Sequence, residues 1–250
     1  MQEDSQEYKN KKSFFESIIT LYGRNVVLEA LQESSIKIHK LHMAKSNRQD
    51  STIDAILALA NKRNVEIKEH DKNALSRISK NAKQDQGVAL DIVAQSYKSS
   101  DALEALNSFK LIALDGIHNP QNLGMIIRSC AAGNVDGIIL PKKNSAKISP
   151  LVIKASAGTL FKIPIYYCND LTDVLRKLSN TTVYALSSHA KESIYTIKKE
   201  ERSIFVLGNE SEGVSEEVTK LCNASVAIPM QRGVESLNVA VTASLIAFML

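Results

Sequence analysis

"KLIALDGIHNPQNLGMIIRSCAAGNVDGIIL", residues 110–140, decides the fold. It opens on a near-continuous apolar run, "KLIALD", as a strand covered on both faces requires. "QNLGMIIRSCAA" (121–132) has helical spacing, and "GIIL" (137–140) is a second apolar run. Strand, helix and strand in one short stretch is the pattern of a parallel βαβ unit.

The alternation continues to the last residue. "SPLVIKASAGTL" (149–160) reads as a helix opened by Pro150, and "KIPIYYC" (162–168) as a strand. "DLTDVLRKLSN" (170–180) reads as a helix capped by Asp170, followed by strands at "TVYAL" (182–186) and "SIFVL" (203–207). "SEEVTKLC" (215–222) is a helix, "ASVAIP" (224–229) a strand and "SLNVAVTASLIAFML" (236–250) a helix with Ser236 as a natural N-cap. The fold class expected is α/β, a mostly parallel sheet with helices on both faces, over residues 109–250.

Before it lies a smaller α/β unit over residues 20–96. Gly23 breaks the chain ahead of a helical stretch with Val26, Val27, Leu28 and Leu31. Strands are expected at "IKIHKLHMA" (36–44), "VEIKEH" (65–70) and "GVALDIVA" (87–94). Helices are expected at "STIDAILALANKRN" (51–64), capped by Ser51 or Thr52, and at "KNALSRIS" (72–79). Residues 1–19 read as a polar tail and 97–108 as a linker.

Composition narrows the function classes. Of 250 residues, 44% are hydrophobic and 23% charged, so a packed core is expected rather than disorder. The 31 basic and 27 acidic residues give a net charge of +4, which mildly favours a polyanionic partner. Cys130, Cys168 and Cys222 form no C-x-x-C, so neither a disulfide framework nor a metal site is expected, and a reducing cytoplasm fits best. The apolar C-terminal "VAVTASLIAFML" spans only residues 239–250, so it reads as a buried helix, with no membrane span expected.

In a parallel sheet the ligand sits outside the carboxyl ends of the strands. The informative stretches are therefore 115–124, 187–188, 208–213 and 230–238. "GNESEG" (208–213) has the glycine spacing of a phosphate loop, but Val214 stands where that loop needs lysine, and Glu210 and Glu212 would repel an anion. No two glycines are separated by a single residue, so a G-x-G-x-x-G fingerprint is absent. The loop suits a neutral or cationic ligand. In the first stretch, Asn122 and Gly124 share the opening turns of a helix with Arg128, which the spacing places near Gly124 on one face. In the last stretch, Asn238 is an amide in an apolar helix and needs partners. The five histidines (39, 42, 70, 118 and 189) are scattered and read as surface or core residues.

"NLGMIIR" (122–128), Ser156-Ala157-Gly158, "GNESEG" (208–213), "IPM" (228–230) and "SLNVAVTA" (236–243) occur in order. Together they resemble the motifs of the SpoU (TrmH-type) RNA ribose 2′-O-methyltransferases of the SPOUT superfamily. "YGRNVVLEAL" (22–31) and "QDQGVAL" (84–90) resemble the ribosomal-protein L30e type substrate-binding domain of that family's ribosomal-RNA branch. There, Asp85 replaces the usual histidine. The resemblance covers about residues 20–250.

It implies a trefoil-knotted C-terminal catalytic domain and a homodimer that uses S-adenosylmethionine and no metal. The implied substrate is RNA, ribosomal rather than transfer, with a guanosine of the large subunit as target. The other readings are a tRNA enzyme and an assembly protein that has lost catalysis. The resemblance assigns cofactor contacts to Leu186, Ser187, Gly208, Asn209, Gly213, Ile228, Met230, Ser236 and Leu237. It assigns catalysis to Asn122, Arg128, Glu210, Ser236 and Asn238, with Arg128 acting across the dimer. Within that set, Glu210 is expected to bond Asn122 or Arg128, and Asn238 to orient Arg128 or the ribose.

Overall fold

The computed structural model describes residues 18–34, 36–80, 85–93, 98–198 and 200–250. Almost all of the expected polar tail, Gln84 of the "QDQGVAL" match and the first linker residue lie outside that set. The chain divides into two compact units, Met1–Ser96 and Tyr97–Leu250.

The first unit is built on a four-stranded sheet in the order β1-β4-β2-β3, formed by β1 (Ile18–Tyr22), β2 (Ile38–Ala44), β3 (Glu66–His70) and β4 (Val88–Val93). β4 runs antiparallel to β1 and β2, and β3 runs parallel to β2 along the edge. Its helices are α1 (Arg24–Gln32), α2 (Ser51–Lys62) and α3 (Lys72–Ser79). α1 and α2 bury Val26, Val27, Ile53 and Ile56, while α3 sets Leu75 with Tyr22, Ala44 and Ala89. The cap of α2 is Asp50, not Ser51 or Thr52. Its carboxylate accepts from the N–H groups of Thr52 and Ile53 at 3.0 and 2.9 Å, reaching two free donors at once. The strand β1 had no counterpart in the sequence reading, because "IITLY" is too short to show a period.

The second unit carries an eight-stranded sheet, every pairing of which is parallel. Its centre is β6 (Phe109–Leu114), flanked by β7 (Gly137–Pro141) and β11 (Arg202–Leu207). β8 (Ile165–Cys168) continues one side, β9 (Thr182–Leu186) and β12 (Ala224–Ala227) the other. Two-residue strands, β5 (Lys98–Ser99) and β10 (Glu192–Ser193), finish the edges. The first of these pairs with β8, so the segment read as linker is structured from residue 98, with a 3-10 turn at Ser100–Leu103.

Around this sheet lie α4 (Pro120–Ala132), α5 (Pro150–Ala155), α6 (Leu171–Lys177), α7 (Glu216–Thr219) and α8 (Val239–Met249). α5 stops well short of the expected span, because Ala157 and Gly158 turn into the left-handed region at φ 48° and 75°. α4 packs tightly on α5 through Gly124. A Cβ there would fall 2.6 Å from the Val152 carbonyl oxygen and 2.5 Å from the Ala155 methyl. On its other flank α4 meets α8, where Ser129 and Ser244 hydroxyls lie 2.6 Å apart and the Asn134 N–H donates to the Ala247 carbonyl at 2.7 Å.

Candidate functional site

The polar stretches converge where the sheet changes direction. β6 has β7 on one side and β11 on the other, so the loops after β6 and β11 meet at a topological switch point. Two bonds fasten them: the Asp115 N–H donates to the Leu207 carbonyl at 2.8 Å, and the Asp115 carboxylate accepts from the Ser215 N–H at 2.8 Å.

The loop 208–213 is a small closed hairpin. Asn209 and Gly213 exchange both backbone hydrogen bonds, at 3.1 and 3.0 Å. The Asn209 side-chain oxygen accepts from the N–H groups of Ser211 and Glu212 at 2.9 and 2.7 Å, an Asx turn that fixes the tip. Gly208 must be glycine, since a Cβ would stand 1.9 Å from the Gly213 carbonyl carbon. The glycine spacing thus serves a turn that folds back on itself.

This hairpin delivers Glu210 to the first turn of α4. The Asn122 amide donates to Glu210 Oε1. Asn238 donates from Nδ2 to Glu210 Oε1 and to Asn122 Oδ1, both at 3.3 Å. Three loops are therefore joined through one carboxylate and two amides. Asn122 is buried, and this network supplies the partners that its burial demands.

Asn238, not Ser236, caps α8: its oxygen accepts from the Ala240 N–H at 2.8 Å while its amide nitrogen faces the network. One residue thus both starts the helix and serves the cluster. Ser236 is exposed on the preceding loop. Arg128 stands apart from this cluster. It is one turn from Gly124, but Gly124 faces α5 whereas Arg128 is exposed, and it bonds neither Asn122, Glu210 nor Asn238.

The nine expected cofactor contacts, at 186, 187, 208, 209, 213, 228, 230, 236 and 237, all line one cavity of about 1080 Å³ at the ends of β9, β11 and β12. That volume is ample for a nucleoside-sized cofactor. A second cavity of about 370 Å³, lined by Gly116, His118, Asn119 and Asn122, shares residues 209–212 and Val239 with the first. His118 and Asn119 entered no sequence motif; their place directly after a strand end was the available signal. Thiol chemistry has no foothold here. Burial pushes Cys130 up to about 12, burial with Asp170 and Asp173 nearby does the same to Cys168, and burial lifts Cys222 to about 11. No cluster of three metal-ligating side chains occurs among the described residues.

Residues 110–248 match the SpoU rRNA methylase family. The chain belongs to that family. Residues 20–98 match a domain described as RNA 2′-O ribose methyltransferase substrate binding. A protein of Mycolicibacterium vanbaalenii named as an uncharacterized tRNA/rRNA methyltransferase is 31% identical over 235 residues, which cover 90% of this chain and 73% of that one. A TrmH family tRNA/rRNA methyltransferase of Staphylococcus saprophyticus is 30% identical over 238 residues, covering 92% and 94%. Among solved structures, the AdoMet-bound rRNA methyltransferase of Sinorhizobium meliloti superposes with a TM-score of 0.76 at 23% identity, over 98% of this chain and 89% of that one. AviRb of Streptomyces viridochromogenes, a SpoU methyltransferase in complex with AdoMet, gives 0.78 at 19% identity, over 98% and 92%. These two share the fold.

Proposed function

We propose that the protein is an S-adenosylmethionine-dependent 2′-O-ribose methyltransferase acting on large-subunit ribosomal RNA at a guanosine. The observation that carries this reading is the Asn122–Glu210–Asn238 junction between the two adjoining cavities. The larger cavity fits the cofactor's chemistry: Leu186, Ile228 and Leu237 offer apolar surface to an adenine, and a loop with two glutamates and no lysine suits a sulfonium cation that carries no phosphate. When bound, S-adenosylmethionine would supply the methyl group that replaces the hydrogen of the ribose 2′-hydroxyl, the sulfonium becoming a neutral thioether and the proton passing to solvent. The residue match at 20–98 to a 2′-O-ribose substrate-binding domain supports the ribose as acceptor.

The chain's own residues then position and neutralise. Glu210 fixes the two amides, and with them the wall shared by cofactor and acceptor. Arg128 clamps the RNA phosphate and stabilises the oxyanion that develops on the 2′-oxygen. A guanidinium keeps its proton above pH ~12, so a two-pronged clamp is easier than proton abstraction. Arg128 is exposed on the outer face of α4 and bonds no member of the cluster in its own chain, which fits a role in the site of a second copy. Met125 on α4 and Val241, Leu245 and Phe248 on α8 form an exposed apolar face beside it, at 46, 42, 40 and 64% exposure, suited to cover by a second copy. A trefoil-knotted chain path belongs with the same reading.

The test is mass spectrometry of ribose-methylated nucleosides from a deletion strain, with the purified protein then assayed on ribosomal RNA and tRNA. Loss of one 2′-O-methylguanosine from large-subunit RNA is expected; loss from tRNA alone would overturn the substrate. Arg128→Ala is expected to abolish methyl transfer while cofactor affinity, read by calorimetry, stays within about twofold. Full activity in Arg128→Lys would sink the clamp.

A further inference from the structure

The sheet of the first unit is crossed by a hydrogen-bonded chain with one side chain from each strand. Thr20 on β1 donates from its hydroxyl to Asp91 Oδ1 on β4 at 2.7 Å. Asp91 Oδ2 lies 3.1 Å from His42 Nε2 on β2, and His42 Nδ1 lies 2.9 Å from His70 Nε2 on β3. His42 is 6% exposed. Burying a carboxylate and two imidazoles is unfavourable unless each is paired, and here every contact is a pairing.

The chain counts protons. Asp91 as an anion requires the His42 Nε2 to carry hydrogen, so the contact between His42 Nδ1 and His70 Nε2 has room for one hydrogen only. With both rings neutral, His70 donates. One further proton on the pair can still leave a single hydrogen in that contact. With a second, both facing nitrogens carry hydrogen and the bond is lost.

That bond ends on β3. β3 is an edge strand with only β2 beside it, and its five residues are exposed or half-buried, with none fully buried. Besides the backbone ladder, its side-chain ties on this face include, among the described residues, His42–His70 and the Lys40–Glu66 pair at 3.0 Å.

We propose that the Thr20–Asp91–His42–His70 chain is a pH-sensitive latch that holds β3 to the sheet at neutral pH and releases it in acid. The charged groups facing His70 are His42 and Lys40 on β2, Lys68 on β3 and Asp71 ahead of α3. Burial first, then His42 and the two lysines, holds His70 below the usual 6.5, with Asp71 opposing. Asp91 is pushed up by burial but held below the ordinary carboxylate value by the hydrogen bonds from His42 and Thr20 and the charges of His42 and His39. Both folded values are depressed, so both contributions are present at neutral pH and are lost as pH falls. His70 gives way first. Glu66 is held low by Lys40, so that second tie survives into stronger acid.

The test is hydrogen–deuterium exchange of the full chain at pH 7.5 and 5.5, corrected for intrinsic rates. Peptides covering 66–70 are expected to gain about tenfold in exchange at the lower pH while those covering 109–114 and 202–207 do not. His70→Gln, whose amide can donate or accept, is expected to remove that pH dependence. The same dependence in His70→Gln would overturn the latch. Histidine nitrogen NMR of the unmodified protein is a second reading: a coupling across the His42–His70 contact at pH 7.5, lost at 5.5, supports the latch, and no coupling at either pH overturns it.

Discussion

The two sheets place their polar residues in opposite ways. In the second unit the central strands bury continuous apolar runs: Leu111 to Leu114 of β6 and Ile204 to Leu207 of β11 are buried, and the polar cluster of the site lies beyond the strand ends. In the first unit the polar residues lie within the strands, where Thr20, His42, Asp91 and His70 link across the sheet. An all-parallel sheet covered on both faces has no polar side to use, so function is pushed into loops held by Asp115, Asn209 and Glu210. A mixed sheet with one less covered face can carry charge inside the ladder, and its stability then depends on protonation.

The largest effect that would sharpen this contrast is at Gly208. Gly208→Ala drives a methyl group into the Gly213 carbonyl, so the hairpin must open and Glu210 must leave Asn122. Loss of S-adenosylmethionine affinity by at least about 100-fold, roughly 2.7 kcal/mol, is expected in calorimetry. Exchange rates in the first unit should not change. Retained affinity would mean that the loop geometry is not what shapes the cavity.

Asp85 is the matching position in the first unit. It is buried, accepts from the Ser79 hydroxyl and the Gly87 N–H, both at 3.0 Å, and so closes the turn ahead of β4. Asp85→Ala takes the shared carboxylate acceptor out of that buried turn and is expected to destabilise the first unit by about 1–3 kcal/mol in urea unfolding. Cofactor affinity should be unchanged. If it fell in parallel, the two units would not be energetically separate.

The contrast also explains what could be read from the chain alone. β6, α4 and β7 were legible because continuous apolar runs and a helical period survive in a sheet buried on both faces. The cluster Asn122, Glu210 and Asn238 was legible because its members sit just after strand ends, in ordered motifs. That Arg128 and Gly124 have different surroundings is not legible, since spacing along α4 cannot tell that Gly124 turns toward α5 while Arg128 is exposed. The sequence favours Ser236 over Asn238 as a cap, because the apolar run that marks the helix extends back through Leu237. The His42–Asp91 relay was invisible for a different reason: its members are 49 residues apart and meet only through strand order. Scattered histidines look alike until a sheet brings two of them together.

The smallest effect belongs to Asp170, which caps α6 by accepting from the N–H and the hydroxyl of Thr172 at 2.8 and 2.7 Å. The Thr172 hydroxyl, then its N–H, holds this carboxyl below the ordinary value of 3.8, against slight burial. Its contribution is therefore complete above that value and fades as pH falls through the lower, folded one. Asp170→Ala is expected to lower the stability of the second unit by about 1 kcal/mol at pH 7. Asp170→Asn keeps an acceptor and should recover most of it, without the acid dependence. Thermal unfolding followed at pH 7, 5 and 3 separates the two units on this scale. The second should weaken only toward pH 3, through surface carboxylates of this kind, whereas the first should already weaken at pH 5 through His70. If both units weakened together near pH 5, acid sensitivity would not distinguish a sheet with titrating groups inside from one that keeps them at its ends.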